Sequence, residues 1–459
     1  MIIEKDNLKY AEWWNKVVSE GEMLELRYKL KGMFVWKPYG FAAMNKIKKA
    51  WDNLFAKQGI KETYFPLIVP VEYASKNESW WNSFKEQAFY VLAYQDNEKK
   101  LFMRPTGEPA MYPIFSLWIR GHRDLPLRIY ETVSSFRNET KSTKVLVRDV
   151  EMGPWYEIHT CHATKEEAEK EIELAIKMNE VLFNMLAIYP LKVRKPKADC
   201  FPGSVGAVEF YTLMNNAVVE NGSCNNLGQA YAKAFGIQFL DEKQEKQYVW
   251  QTCTGNGERF LSAVVANHAD KKGLVMPPEL APIKISLVLI GLKKKDVENK
   301  IDVYFSEEQV EISEVRGSVD EVGEARYKSE KMGVPLRIEI GQKEIREKKA
   351  SLIWRDGTKE NVAFSNVKEA VKKGMERIQK VLFENTKKEM IKRIKKCSSY
   401  EEAKKADIAL IGWCGKDECG DWIKTKTEKD IIGMALESGE MKCPNCGKKG
   451  EPTYISKSY

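Results

Sequence analysis

Apolar side chains recur every three or four residues in two stretches of the first half of the chain. In residues 41–57 they stand at Met44, Ile47, Trp51, Leu54 and Phe55, and Gly59 follows the stretch. This spacing and this stop predict an amphipathic helix. A second helix is predicted after Thr164, because TKEE is a capping box and the apolar residues between 168 and 186 fall on one face.

Short runs typical of strands lie between these two helices. They are TYFPLIVP at residues 63–70, LRIYETVSSF at 127–136 and WYEIHTC at 155–161. Strands that alternate with flanking helices in this way indicate an α+β arrangement, with an antiparallel sheet that carries helices. We therefore predict a first domain over residues 1–276.

A proline-rich segment, GLVMPPELAP at residues 273–282, reads as a boundary. After it, the strand-like runs KISLVLIG, VPLRIEIG and ASLIW alternate with charged helical stretches, which predicts a small α/β domain over residues 283–385. A basic segment at residues 384–406 is predicted to be helical. It leads to a last domain, residues 390–459, which is rich in cysteine and glycine.

Composition narrows the class of protein. The chain has 459 residues, too many for one core, and no run of about 18 uncharged apolar residues. Its first residues lack the apolar segment of a secretory signal, so a cytoplasmic protein with no membrane partner is expected. Lys and Arg outnumber Asp and Glu by 74 to 66, a net charge of +8, which suits a polyanionic partner without requiring one.

Charged residues cluster where the strand 127–136 ends. On a continuing strand Arg137 and Glu139 would point to the same face. Such a pair is either a surface ion pair or part of a site for a charged ligand. Three features favour the second interpretation: Arg148 after the following turn, Glu157 and His159 on the returning strand, and Arg259 in GNGERF. Arginine forks bind phosphate oxygens.

These residues also carry a family resemblance. FRNET resembles the second signature of class II aminoacyl-tRNA synthetases, GNGER resembles the third, and Phe65-Pro66 resembles the first, whose proline lies at a dimer interface. RPTGEPAMYPIF, YEIHTCHATKEEAE and NNLGQAYAKAF are similar to prolyl-tRNA synthetases of the archaeal and eukaryotic type. The resemblance implies a homodimer with a class II catalytic domain, an α/β anticodon-binding domain and a small zinc-binding α+β C-terminal domain.

The family's chemistry is the activation of proline by ATP, as prolyl-adenylate, and transfer of the prolyl group to the 3′ end of tRNA(Pro), with Mg²⁺ neutralising the phosphates. Carried over by position, the catalytic residues are Arg137 and Arg259. The residues implied for ATP are Arg137, Glu139, Arg148, Glu220, Ser223 and Arg259, with Glu139 on the adenine amino group. Those implied for the amino acid are Thr106, Glu108, Arg137, Trp155, His159, Asn225 and Cys253.

Two positions depart from the family pattern. Asn225 stands where the family usually has histidine, and Glu220 stands where glutamine is usual. These changes keep two alternatives open. One is a divergent paralogue that activates a different small amino acid or uses an acceptor other than tRNA, and the other is a non-catalytic RNA-binding protein.

Four of the nine cysteines crowd the last 46 residues. Cys414 and Cys419 form a C-x4-C pair, and Cys443 and Cys446 form a C-x2-C pair. This spacing predicts tetrahedral structural zinc, with two disulfides or free thiols as the alternative. Four sulfur ligands would leave the metal no open position, so its predicted role is folding of the tail.

Overall fold

The computed structural model describes residues 9–92, 100–139, 143–297, 300 and 309–459. Elements are numbered along the chain. The helices of the first region are α1 Tyr10–Glu20, α2 Pro38–Lys57, α3 Val71–Ala74, α4 Glu78–Phe84, α5 Glu108–Trp118, α6 Lys165–Met185, α7 Ala230–Phe235 and α8 Arg259–His268. Its strands are β1 Leu24–Glu25, β2 Val35–Trp36, β3 Lys61–Glu62, β4 Ile68–Pro70, β5 Phe89–Val91, β6 Leu101–Met103, β7 Leu127–Phe136, β8 Glu151–His162, β9 Leu191–Arg194, β10 Gly206–Met214, β11 Ala217–Gly228, β12 Gln238–Leu240, β13 Lys246–Tyr248 and β14 Trp250–Asn256.

The predicted antiparallel sheet is confirmed. Strands β9, β10, β11, β14, β8 and β7 pair in that order, each antiparallel to its neighbour, and β3 adds at the far edge in parallel with β7. One face of this sheet packs on α2, α6 and α8, where Trp51, Phe183 and Phe260 are fully buried. The opposite face is therefore left to carry polar side chains.

Both predicted helices form. The helix predicted over residues 41–57 is α2, which begins three residues earlier at Pro38, a residue suited to the first helical turn. Helix α6 has the capping box at Thr164, whose side chain accepts from the Glu167 backbone N–H.

Two details of the sequence prediction are wrong. The run at residues 63–70 is not one strand, since only Ile68–Pro70 pairs within it; Pro66 has no N–H to donate to a ladder. Strand β7 ends at Phe136, so Arg137 and Glu139 lie just beyond it. The backbone changes its hydrogen-bond partner at this point. The Arg137 N–H still donates to Val150 O, whereas the Asn138 N–H donates to Gln87 O.

The second region has a five-stranded sheet in the order β16-β15-β17-β18-β19. Its strands are β15 Ile285–Ile290, β16 Val310–Val315, β17 Leu336–Ile340, β18 Lys349–Trp354 and β19 Lys359–Ala363, and its helices are α9 Val319–Lys331, α10 Gln342–Glu347 and α11 Val367–Arg393. The first three strands are parallel, as the α/β prediction requires. Helix α11 extends past residue 385, the predicted end of this domain.

The basic segment predicted to be helical is interrupted. After α11 comes strand β20 Ile394–Lys396, because Ile394 pairs with Ile408 of the next strand. The remaining elements are α12 Tyr400–Lys405, β21 Ile408–Trp413, α13 Asp417–Thr427, β22 Asp430–Ala435, β23 Met441–Lys442 and β24 Lys449–Ser456. Strand β22 pairs with β9, so the C-terminal strands continue the large sheet of the first region. In the described residues no helix has both the length and the apolar character needed to cross a bilayer.

Candidate functional site

A cavity of about 350 Å³ opens on the polar face of the large sheet. Strands β10, β11, β14 and β8 provide its floor, since residues that alternate along these strands point into it. All of the residues implied for ATP or the amino acid except Glu139 and Arg148 line this cavity; they are Thr106, Glu108, Arg137, Trp155, His159, Glu220, Ser223, Asn225, Cys253 and Arg259. The structure thus brings together residues that are up to about 150 positions apart in the chain.

Arg137 and Arg259 face this same cavity. The Arg137 guanidinium lies 5.4 Å from the Phe84 ring centroid. Its Nε is buried without a hydrogen-bond partner among the described residues. Burial and the nearby Arg259 charge lower the pKa of Arg137 from its usual value. Two guanidinium groups whose charges repel one another in a polar cavity favour an anionic ligand.

Arg259 is held from three directions. Its Nε donates to Val147 O at 2.9 Å, its Nη1 donates to the Glu220 backbone O at 3.0 Å, and Nη1 also forms an ion pair with the Glu220 carboxylate. The other Glu220 oxygen accepts from the Gly222 N–H at 2.7 Å. Glu220, one of the two expected departures from the family pattern, therefore holds Arg259, which the resemblance implies for ATP.

Glu139 and Arg148 lie outside the cavity lining and pair with one another. The Arg148 Nε is 2.9 Å from Glu139 Oε2, with 49% of the Arg148 side chain exposed and 10% of the Glu139 side chain. The exposed guanidinium lies on the turn that also carries Lys144, whose N–H and C=O both bond to the Arg148 backbone. The Glu139 charge also acts on Arg137, so the pair lies close to the cavity, and the Arg148 guanidinium remains exposed.

A buried carboxylate also lines the cavity. Glu108, at the start of α5, is 2% exposed and bonds the Thr106 hydroxyl, which in turn accepts from Trp80 Nε1 at 3.1 Å. Burial is the main cause that raises the pKa of Glu108. A cationic ligand beside it would stabilise the ionised form, so this part of the cavity suits an ammonium group.

Glu157 lines the cavity, although the sequence prediction gives it no role in binding ATP or the amino acid. Its Oε2 accepts from the Gly107 N–H at 2.6 Å and lies 3.2 Å from His159 Nε2, while the other His159 nitrogen bonds Tyr112 Oη at 2.9 Å. Burial alone would raise the pKa of Glu157, but the hydrogen bond and the charge of His159 lower it. The two-residue spacing between Glu157 and His159 on one strand is the signal that identifies it.

Glycines give Trp155 its place in the cavity wall. A Cβ at Gly255 would lie 3.0 Å from Trp155 Nε1, and one at Gly257 would lie 2.9 Å from Trp155 Cα. Either side chain would displace the indole. Asn225 is fixed on the floor beside it, because Asn225 Nδ2 donates to Ser223 Oγ at 2.9 Å and lies 3.7 Å from Cys253 Sγ.

The remaining wall was not predicted from the sequence. It comes from the loop at Asp199, Cys200, Phe201 and Pro202, and from Glu209 on β10. Burial raises the pKa of Glu209 to about 7. The Tyr211 hydroxyl donates to this carboxylate at 2.6 Å and Lys195 Nζ lies 3.5 Å from it. The loop carries no motif, and only the pairing of β10 with β11 brings Glu209 beside Ser223.

The four C-terminal cysteines meet in space. The sulfur atoms of Cys414, Cys419, Cys443 and Cys446 all lie within 4.8 Å of one another, and those of Cys414 and Cys446 are 3.6 Å apart. Tetrahedral zinc with Zn–S bonds of about 2.3 Å requires sulfur atoms about 3.8 Å apart. The donor set and its spacing therefore fit zinc.

The chain matches models of three protein families. Residues 87–268 match the tRNA synthetase class II core domain (G, H, P, S and T), residues 287–374 the anticodon binding domain, and residues 399–459 the C-terminal domain of prolyl-tRNA synthetase. These matches fall in the three regions of the fold described above.

Known relatives align along nearly the whole chain. The proline–tRNA ligase of Methanococcoides burtonii is 35% identical, over 98% of this chain and 97% of the relative, and that of Methanopyrus kandleri is 34% identical over 99% and 97%. Prolyl-tRNA synthetase of Giardia lamblia, solved in complex with prolyl-adenylate, superposes with a TM-score of 0.92 at 28% identity, covering 98% of both chains. That of Cryptosporidium parvum, complexed with halofuginone and AMPPNP, superposes at 0.93 with 25% identity, covering 100% of this chain and 97% of that one. The chain belongs to the prolyl-tRNA synthetase family.

Proposed function

We propose that the protein activates proline with ATP, forming prolyl-adenylate and pyrophosphate, and then transfers the prolyl group to the 3′ end of tRNA(Pro). The observation that carries this proposal is that Arg137 and Arg259 face one cavity that also contains the buried Glu108 carboxylate. Such a cavity can hold a polyphosphate and an amino acid next to one another.

In the first step an oxygen of the proline carboxylate attacks the α-phosphorus of ATP, and the bond to pyrophosphate breaks. Arg137 contacts the α-phosphate and the proline carboxylate, and Arg259 contacts the γ-phosphate. Glu139 accepts from the adenine amino group, and Arg148 lies on the pyrophosphate side. Catalysis by these groups is positioning together with stabilisation of the charge that develops on the phosphates.

The Glu209 and Glu220 carboxylates, which both line the cavity, are suitable oxygen donors for magnesium. When bound, the cation would neutralise part of the triphosphate charge. Glu220 becomes available only when its ion pair with Arg259 opens, and a γ-phosphate that takes Arg259 would open it.

Selection of proline rests on the residues around Glu108. Glu108 and Thr106 meet the secondary ammonium, while Trp155 and His159 form the wall against the ring. Asn225 and Cys253 close the floor, with a hydrogen-bonding group in place of the family's titratable histidine. An apolar slot beside a carboxylate suits a cyclic ammonium better than an open-chain polar side chain.

The test is ATP–pyrophosphate exchange with purified protein across the twenty amino acids, followed by aminoacylation of tRNA(Pro). Proline should give the strongest exchange. A stronger response to another amino acid would contradict the proposed substrate, and absence of exchange with any of them would contradict adenylation itself.

We also propose structural zinc at Cys414, Cys419, Cys443 and Cys446, which would hold β23 and β24 to the end of β21. The described cysteines are free thiols in the structure, and reduced thiols together with tRNA and ATP as substrates support a cytoplasmic location. Fractionation of the native cells, followed by metal analysis of the purified protein, tests both proposals.

A homodimer is proposed from the first signature. Phe65 is buried, but its neighbours Tyr64 and Ile68 are 72% and 46% exposed, and Trp118, whose ring centroid is 5.7 Å from that of Phe65, is 48% exposed. Light scattering should give the mass of two chains. Ile68→Glu should shift the mass toward one chain, whereas Val319→Glu, on the exposed face of α9, should not.

A further inference from the structure

Two buried carboxyl groups meet between the turn that carries Arg148 and the start of the helix that carries Arg259. Asp149 follows Arg148 in the chain, and Glu258 precedes Arg259. Both acidic residues are 1% exposed, and their carboxyl groups lie within hydrogen-bonding reach of one another. Neither has a part in the chemistry proposed above.

Backbone N–H groups hold one oxygen of each carboxyl group. Asp149 Oδ2 accepts from the Leu146 N–H at 2.6 Å, and Glu258 Oε2 accepts from the Gly153 N–H at 3.0 Å. Asp149 Oδ1 is buried and receives no hydrogen bond from an N–H or hydroxyl group of the described residues. A proton on one of the two carboxyl groups would satisfy it, because buried polar atoms almost always have a partner.

The charges of the two acidic groups and of Arg259 also indicate that the pair holds one proton. Two carboxylates in contact away from water cannot both ionise without a large cost. Burial raises the pKa of both groups, and the Arg259 guanidinium is the charged group that acts on both, lowering each. One cation beside two acids is consistent with one carboxylate and one carboxylic acid.

We propose that Asp149 and Glu258 share one proton and act as a pair of positioning residues, which joins the Arg148 turn to the start of α8 and so orients Arg148 and Arg259 for ATP. The Arg259 Nε bond to Val147 O, at 2.9 Å, connects the same two segments. Loss of the shared proton at alkaline pH would leave two adjacent buried charges, and the segments would separate. The effect on ATP rests on the proposed function, whereas the shared proton does not.

Amide variants replace the shared proton by a permanent donor. In Asp149→Asn the amide oxygen can still accept from Leu146 N–H while the NH2 group donates to Glu258, and Glu258→Gln allows the mirror arrangement. Asp149→Ala leaves Glu258 without this partner. Asp124→Asn, at an exposed turn, is the matched control.

The first readout is the infrared difference spectrum between wild type and each variant at pH 7, which needs no substrate. The wild type should show a protonated-carboxyl band that is missing in both Asp149→Asn and Glu258→Gln and retained in the control. A spectrum with no such band lost would overturn the shared proton, whether or not the protein proves to activate proline. Either amide variant suffices if the other does not fold.

The second readout is the KM for ATP in proline-dependent exchange as the pH is raised. In the wild type this KM should rise on the alkaline side, and in the amide variants it should stay within about twofold of its neutral value. Asp149→Ala should raise it about 5- to 100-fold at neutral pH, as expected for an unsatisfied buried group, with the KM for proline much less changed. An amide variant that keeps the alkaline rise would overturn the positioning role.

Discussion

Glu220 forms an ion pair with Arg259 inside the cavity, and the Arg259 Nη1 also donates to the Glu220 backbone oxygen at 3.0 Å. The side chains are 28% and 17% exposed, respectively. The arginine proposed for the γ-phosphate is therefore occupied before ATP arrives. Binding of the triphosphate must exchange one anionic partner of Arg259 for another.

Glu220→Gln should lower the KM for ATP. The neutral amide removes a carboxylate that competes with the phosphate, and a gain of about 3- to 10-fold corresponds to about 1 kcal/mol, the net contribution of one hydrogen bond. The measurement is proline-dependent pyrophosphate exchange over a range of ATP concentrations. A higher KM that excess Mg²⁺ restores would show that the contribution of Glu220 to magnesium binding outweighs this competition.

Arg137→Ala should reduce the rate of adenylation by about 100-fold or more, because the group acts on charge that develops at the α-phosphate. Affinity for tRNA should be nearly unchanged, since tRNA contacts are spread over basic surface. Exchange rates and filter binding of tRNA measure the two effects. Arg27→Ala, which removes an exposed ion pair with Glu25, is the control, and equal exchange rates in the two variants would contradict the role of Arg137.

Much of this site could be predicted from short motifs, and the reason is geometric. Residues such as Glu108 and Arg259 stand at the start of a helix, where local sequence sets their placement. Trp155 and His159 alternate on one strand, so pairing of the sheet delivers them together. The match to the family added their proposed roles.

The parts that could not be predicted depend on contacts between distant segments. Glu209 reaches the cavity only through the register of β10 on β11, and the wall at Cys200 belongs to a loop without a motif. The end of β7 at Phe136 depends on Gln87, which lies far back in the chain. No local pattern encodes these pairings.

Acid should destabilise the protein through His268. Burial lowers the pKa of this imidazole from 6.5 to about 4, and its Nε2 bonds Leu186 O at 3.0 Å. Between pH 6.5 and 4 the unfolded chain binds the proton that the folded chain excludes, so the free energy of unfolding falls as the pH falls. The loss reaches about 3 kcal/mol at the acid end of this window.

Urea midpoints at several pH values between 7 and 4 measure this loss. In His268→Gln the side-chain amide can keep the bond to Leu186 O but cannot titrate, so the midpoint should depend less steeply on pH. The same steepness in both proteins would show that His268 is not responsible.

Cys443→Ser should abolish zinc binding. Cys443 is 1% exposed within the four-sulfur cluster, and removal of one thiolate leaves too few ligands for a closed tetrahedral site. Metal analysis should find one zinc per wild-type chain and none in the variant, with faster hydrogen exchange in β23 and β24. Cys397→Ser, a buried thiol outside the cluster, should keep its zinc, and full zinc content in Cys443→Ser would contradict the proposed site.

The pairing of β22 with β9 has a consequence for any shortened form of the chain. Met434 and Ala435 cover the outer side of Arg194 and Val193. A protein cut at residue 385 would lose that cover and present a bare ladder of N–H and C=O groups, with Val193 exposed between them. Unprotected strand margins of this kind recruit other chains. A chain shortened at residue 385 should therefore self-associate. The C-terminal domain thus also protects the edge of the large sheet against aggregation.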